Sequence, residues 1–349
     1  MPWDFLVIAN PVWETARLVE RIPEEPDPQA RPCAPAGREA DRAVVTDGGG
    51  SALNTACALA MAGRRVLLVG RVGDDPPGRS CLQALQRRGV ETACEILPGH
   101  TTKLNTCFVE QGTHATAFAA ALSEHSVPPW EETPVVLLEA RVLLLDRLAA
   151  AAPKWLTART EALGKERNAL VRNSMILSPA GMERLKSALP HLGYLQVPEE
   201  VGRQAPSGID QAAVLPASGG HTLLSCVPPD EALPERSRIH RPRSLPPLTA
   251  EEVAAIFAAG VRVLVRTREA HGVVVRTAEG LTAELPAAPT KVIDATGAGD
   301  AFAAGFLDAL LDGLDPAVCA QQGLDWAARA CRYLGARAWL DHEPPTRYC

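Results

Sequence analysis

An α/β fold on a mostly parallel sheet is predicted by three observations. Phe5-Leu6-Val7-Ile8-Ala9 is a continuous apolar run of strand length, the pattern of a strand covered on both faces. Val292 to Phe302 reads as a short apolar strand end, a glycine-rich turn and a helix start, with Phe302, Gly305, Phe306, Ala309 and Leu310 on one helical face. Thr102 to Glu110 and Thr113 to Ala120 read as two extended segments around Gly112, a hairpin. With 349 residues the chain can bury a large core, as one large domain or two smaller ones.

Taken in order, the first strand leads through Asn10-Pro11 to Glu14. Arg17 to Asp47 is polar, and Pro23, Pro26, Pro28, Pro32 and Pro35 oppose regular structure there. Gly48-Gly49-Gly50 opens a helix that runs to Gly63, a C-terminal cap. Val66 to Val69 follows as a strand and Ser80 to Arg88 as a helix. Val135 to Leu138 and Val142 to Leu145 supply at least one core strand. Ala180 to Leu189 is helical by pattern, Leu223 to Val227 is a candidate strand, and Gly193 to Gln204 and Pro206 to Gly220 have no sustained period. Thr249-Ala250-Glu251-Glu252 has the form of a capping box, starting a helix to Gly260. Val261 to Thr267 and Gly272 to Val275 are strands, and Gly323 to Leu334 is the last amphipathic helix.

The turn Gly297-Ala298-Gly299 is where chemistry is expected. A helix that starts behind it presents unpaired N–H groups and the positive end of its dipole. Phosphate oxygens are the usual occupants of such a site, and glycines let them reach the backbone. A dinucleotide fingerprint needs a third glycine where Phe302 stands, which sets aside a nicotinamide-dependent oxidoreductase; no Gly-x-x-x-x-Gly-Lys-Ser/Thr occurs either.

Asp294-Ala295-Thr296-Gly297-Ala298-Gly299-Asp300-Ala301-Phe302, followed by Ala304-Gly305-Phe306, resembles the C-terminal signature of the ribokinase-like, or PfkB, family of carbohydrate and nucleoside kinases. Gly49-Gly50 with Asn54 and Ala56, and then Gly70-Arg71-Val72-Gly73-Asp74-Asp75-Pro76-Pro77-Gly78, are similar to its N-terminal signature. The resemblance covers residues 5–90 and 250–340 well, and 150–245 poorly. It implies one ribokinase-like α/β domain over 1–349, a central mostly parallel sheet flanked by helices, with a small β lid drawn from about 15–47 and 101–120.

The implied activity is ATP-dependent transfer of the γ-phosphoryl group to a hydroxyl of a sugar, a nucleoside or a related small molecule. On this resemblance Gly297, Ala298 and Gly299 form the anion hole and Asp300 is the catalytic base. Glu14, Gly49, Gly50 and Asn54 hold the acceptor, and Thr267, Gly272, Thr296, Gly297 and Gly299 meet the nucleotide. Magnesium is expected with the nucleotide's phosphates. Some relatives also place a monovalent cation beside the anion hole, and a homodimer could pair through the lid.

Several residues depart from the family pattern. Glu14 stands for an aspartate, Glu269 for a glycine in Thr267-Arg268-Glu269-Ala270-His271-Gly272, and Gly112-Thr113-His114 for Gly-Glu-Arg. Glu231 fits the place of the acid that organises magnesium, but Pro228 stands where asparagine belongs; Gln196-Val197-Pro198-Glu199 is a competing alignment. These departures keep open a catalytically poor regulatory protein that binds nucleotide or sugar. Asp75 has two readings as well, a functional acid or one that only orders its loop.

A net charge of -6 and a pI near 5.8 leave no electrostatic footprint for nucleic acid, and Arg236 to Arg243 reads as a solvated loop. The nine cysteines have no Cys-x-x-Cys spacing, as expected of reduced thiols in a cytoplasmic protein. Phe5 to Ala9 is too short for a signal-peptide core, and the longest apolar stretches are broken by Glu139 and Arg141, so neither a leader nor a membrane span is expected.

Overall fold

The computed structural model describes residues 1–23, 41–121, 125–145, 150–171, 185–199, 239–240 and 247–348. Its strands are β1 (Trp3–Ile8), β2 (Val12–Val19), β3 (Asp41–Gly49), β4 (Val66–Gly73), β5 (Glu91–Leu97), β6 (Lys103–Glu110) and β7 (Thr116–Ala121). They continue as β8 (Ala140–Leu145), β9 (Asn168–Val171), β10 (Tyr194–Pro198), β11 (Ile239–His240), β12 (Val263–Thr267), β13 (Val273–Thr277) and β14 (Thr282–Leu285). The α-helices are α1 (Ser51–Met61), α2 (Pro76–Arg87), α3 (Ala152–Leu163), α4 (Ala250–Ala258), α5 (Ala298–Leu311), α6 (Pro316–Ala330) and α7 (Ala338–His342).

A nine-stranded sheet has the order β14-β13-β12-β10-β9-β8-β1-β4-β5. From β5 to β12 every neighbour is parallel, and β13 enters antiparallel. Successive side chains of a strand point to opposite faces, so Phe5 and Val7 pack with Leu53, Phe302 and Phe306, while Leu6 and Ile8 pack with Leu143, Trp155 and Leu195. Both faces are covered, which is why the buried stretch Phe5 to Ile8 of β1 is apolar at every position. A smaller five-stranded sheet, β11-β7-β6-β2-β3, forms the lid. Ala16, Cys107 and Val109 of this lid pack with Leu334 and Ile293, which seats it over the segment that opens α5.

Local chemistry explains the helix starts. Thr249 accepts from the Glu252 amide at 3.1 Å, and Glu252 accepts from the Thr249 amide at 2.8 Å, completing the expected capping box of α4. Helix α2 begins at Pro76, not Ser80, because proline needs no amide partner in a first turn. Asp75 caps it and orders the loop: its carboxylate accepts from the Gly78 amide at 2.9 Å, the Thr102 amide at 2.8 Å and the Thr102 hydroxyl at 2.7 Å. Asp75→Ala is expected to lower stability by about 2 kcal/mol in urea unfolding, a lost cap together with an orphaned amide. A decrease in kcat larger than the loss of folded protein would instead give Asp75 a role in the chemistry.

Of the two apolar runs expected to supply at least one core strand, Val142 to Leu145 does so within β8, while Val135–Leu138 is a 3-10 turn with Val135 97% exposed and only Leu137 buried. Other expectations are corrected. Val292-Ile293 is no strand end; the Ile293 and Asp294 amides both donate to the Cys331 carbonyl, at 2.7 and 3.2 Å. Gly48 and Gly49 end β3, and Gly50 alone caps α1. Gly323 lies inside α6, where a Cβ would come within 2.8 Å of the Phe302 carbonyl oxygen and 2.9 Å of its ring. Residues 185–188 are helical and Leu189 begins a 3-10 turn; residues 180–184, the strand at 223–227, Pro228, Glu231 and the prolines from Pro26 to Pro35 lie outside the described residues. Among the described residues no helix is long and apolar enough to cross a membrane.

Candidate active site

Gly297 takes φ 79, ψ -1 and caps α5, the left-handed conformation that glycine adopts without penalty. The space around it makes the same demand, since a Cβ would lie 2.5 Å from the Ala336 Cβ and 2.9 Å from its Cα. The Ala298 amide donates within the turn to the Ala295 carbonyl at 3.1 Å, and the Asp300 amide to the Gly297 carbonyl at 3.0 Å. The Gly297 and Gly299 amides have no acceptor among the described residues. Of the three amides assigned to an anion hole, that of Ala298 is therefore already occupied. Asp294 braces the loop from below, accepting from the Thr296 amide and the Gly335 amide, each at 2.8 Å. Burial pushes the Asp294 carboxyl up, and those hydrogen bonds oppose the shift.

Asp300 lies in the first turn of α5 and is 5% exposed. Ser51 donates to its Oδ1 at 2.5 Å, and the Asn54 Nδ2 donates to its Oδ2 at 2.8 Å. Ser51 and Asn54 are three residues apart on α1, so they share the face turned to α5. The sequence assigned Asn54 to the acceptor and did not pair it with Asp300, and it gave Ser51 no role. The Asn54 Oδ1 is buried without a hydrogen-bond partner, an acceptor that calls for explanation.

Glu14 lies on β2, in the lid, and not in a loop after the first strand. The parallel register β2–β6 sets it opposite Asn105, whose Nδ2 donates to Glu14 Oε2 at 2.7 Å. On the other side β3 places Gly49 against it, where a Cβ would meet the Glu14 Cβ at 2.5 Å. Burial raises the Glu14 carboxyl above its ordinary value, against the Asn105 hydrogen bond and the Arg337 charge. A folded-state value above the unfolded one favours the protonated form on folding. That contribution is complete below the ordinary value of 4.5 and is lost as pH rises through the folded value. Glu14→Gln should therefore be the more stable protein at neutral pH, with the gap closing below pH 4.5; urea midpoints at stepped pH would show it. A gap that stays constant with pH would contradict the cause given.

The remaining residues expected at the site line the C-terminal edge of the parallel strands. Thr267 ends β12, and Gly272, φ 86, precedes β13, with its Cα so near the Leu285 carbonyl that a Cβ would be 2.0 Å from that oxygen. Between them Glu269 is exposed and holds φ 49, the backbone a glycine would adopt more readily. Gln196 reaches from β10 to the Gly299 carbonyl at 3.1 Å. Glu199, just beyond β10, donates its amide to the Thr267 carbonyl at 2.8 Å, and its carboxylate pairs with the buried Arg266 at 2.6 Å. Gln196 and Glu199 thus sit beside α5 and the turn after β12. Among the described residues no three His, Cys, Asp or Glu side chains converge as a metal cage.

A model of the pfkB family of carbohydrate kinases matches residues 25–200 and 242–343. Bifunctional protein HldE of Bradyrhizobium diazoefficiens is 27% identical over 267 residues, covering 76% of this chain and 48% of that protein, so the chain spans about half the length of that relative. Cytidine kinase of Thermococcus kodakarensis is 26% identical over 296 residues, 83% of this chain and 90% of that one. Among solved structures, Arabidopsis thaliana ribokinase complexed with ribose and ATP shares the fold at TM-score 0.64 and 17% identity, covering 97% of this chain and 96% of that one.

Proposed function

The chain belongs to the pfkB family of carbohydrate kinases, and we propose that it transfers the γ-phosphoryl group of ATP to a hydroxyl of a sugar or related small molecule. The observation that carries this reading is the juxtaposition of Asp300, clamped by Ser51 and Asn54, with the open amides of Gly297 and Gly299. Asp300 orients the acceptor hydroxyl and takes its proton. As the oxygen–phosphorus bond forms, the bond from phosphorus to the bridging oxygen of ADP breaks, and the two amides stabilise the charge on the transferred group. A weakly basic carboxylate suffices when the proton leaves late.

Glu14 and Asn54 would hold other acceptor hydroxyls, with Gly49 and Gly50 giving the ligand access to the backbone between them. The nucleotide would lie along the edge formed by Thr267, Gly272 and Thr296; the Arabidopsis ribokinase that shares this fold is complexed with ribose and ATP. A magnesium ion would arrive on the nucleotide's phosphates, and Glu199, whose amide donates to the Thr267 carbonyl, would stand beside it. Buried thiols such as Cys57 and Cys81 suit a reducing cytoplasm. The comparisons lend no support to the catalytically poor alternative.

The test is ADP formation from Mg·ATP across a panel of sugars, sugar phosphates and nucleosides. Acceptor-dependent turnover is expected for one chemical class; ADP formation that no acceptor stimulates would refute the reading.

A further inference from the structure

Between the lid sheet and the segment that leads into α7 lies a cavity of about 450 Å³, within the range of small-molecule sites. Its lining joins Glu14 to the guanidinium groups of Arg87, Arg88 and Arg337 and to the carboxylates of Asp47 and Asp341. Arg88 meets both acids through one nitrogen, Nη2, at 2.9 Å from Asp47 and 3.0 Å from Asp341. Its Nε is buried without a hydrogen bond. The Nη2 of Arg337 approaches Asp47 at 3.1 Å but out of hydrogen-bonding alignment.

Arg87 is exposed at the end of α2 and pairs with no acid among the described residues. It also complements the negative end of its helix, and it shares the cavity with Arg88 and Arg337. A buried guanidinium N–H with no acceptor has lost water's hydrogen bond and gained none in return. Three arginines face three acids, Glu14, Asp47 and Asp341, around the cavity, so the charges balance and it is the unsatisfied N–H groups that call for an acceptor. Oxyanions satisfy guanidinium groups best, through paired and charge-assisted hydrogen bonds.

We propose that the acceptor is a sugar that already carries an oxyanion, a phosphate monoester or a carboxylate, away from the hydroxyl that is phosphorylated. Glu14 holds the hydroxyl-bearing part and Arg87, Arg88 and Arg337 the anion. This rests on the kinase reading above.

Each neutral sugar of a panel is assayed beside its phosphate monoester and its uronate, with native protein, Arg88→Gln and Arg87→Gln. The expected result is a kcat/KM about tenfold or more higher for the acidic partner of a pair, an advantage that either substitution largely removes by raising KM. Arg87 is exposed, so its variant keeps the test available if Arg88→Gln does not fold. Neutral partners turned over as well as or better than acidic ones would overturn the inference and leave the kinase reading standing.

If no acceptor is turned over, the kinase reading fails and calorimetry with the same sugar phosphates decides. Binding that weakens about tenfold in Arg87→Gln supports the oxyanion site, and no binding overturns it. Inorganic phosphate is titrated alongside. Competition with the acidic acceptor supports a shared subsite, whereas activation of neutral acceptors makes free phosphate the occupant and overturns the assignment to the acceptor.

Discussion

Asp300→Asn is expected to lower acceptor kcat/KM by about a thousandfold or more, the scale of a lost general base, with nucleotide affinity nearly unchanged. The substitution keeps the volume of a side chain that is 5% exposed, so packing against α1 should survive. It removes the carboxylate that Ser51 and Asn54 both address. One amide oxygen can still accept from Ser51. Asn54 can turn its unpartnered Oδ1 toward the new NH2 group, which avoids two donors facing each other. The defect should therefore be chemical, visible in single-turnover rates, with the thermal midpoint close to native. A thousandfold loss accompanied by a large fall in midpoint would assign Asp300 a structural role instead.

Gly297→Ala should come next in severity, with kcat reduced about a hundredfold, the effect of displacing a catalytic group by about an ångström. Two demands converge on this residue. A left-handed φ costs an alanine about 1 kcal/mol, and the new Cβ would lie 2.5 Å from the Ala336 Cβ. Neither is relieved by a rotamer change, because both partners are backbone or Cβ atoms. The turn must move, and with it the Gly297 and Gly299 amides. Gly335, next to Ala336, is tied to Asp294, so the opposing segment is poorly placed to yield. Unchanged kcat with only a lowered midpoint would show that these amides do not act on the transferred group.

How far each part of this arrangement could be read in advance depended on how local its cause is. The N-terminal turn of α5 was legible because its glycines and Asp300 sit together in sequence, and the capping box of α4 needs only Thr249 and Glu252. Ser51 left a weaker signal: its spacing of three from Asn54 places both on one helical face, but only the packing of α1 on α5 reveals what that face meets. Asn105 left none, since its pairing with Glu14 follows from the parallel register of β2 and β6. Short apolar runs left a different ambiguity. Val135 to Leu138 and Val142 to Leu145 promised at least one core strand and only the second is one, because four residues carry no period that separates a strand from a turn with one anchor, Leu137.

The amphipathic pattern over Gly323 to Leu334 marks only the end of α6, and Gly323 within it is a contact residue that lets α6 approach Phe302. The acid for magnesium was ambiguous for a related reason. Glu231 and Glu199 fit the pattern equally poorly as strings, and only the sheet order sets Glu199 beside Thr267. Its ion pair with Arg266 could not be inferred from spacing, because β10 and β12 meet only in the folded sheet.

The kinase reading as a whole is tested most directly by following the γ-phosphoryl group itself. Native protein is incubated with γ-labelled ATP and the acceptor that best stimulates ADP formation, and the label is traced by mass spectrometry. The reading predicts label in a phosphate ester of the acceptor, one per ADP formed, and none in the Asp300→Asn protein on the same timescale. Label released only as inorganic phosphate, or retained in ATP with every acceptor, would contradict it.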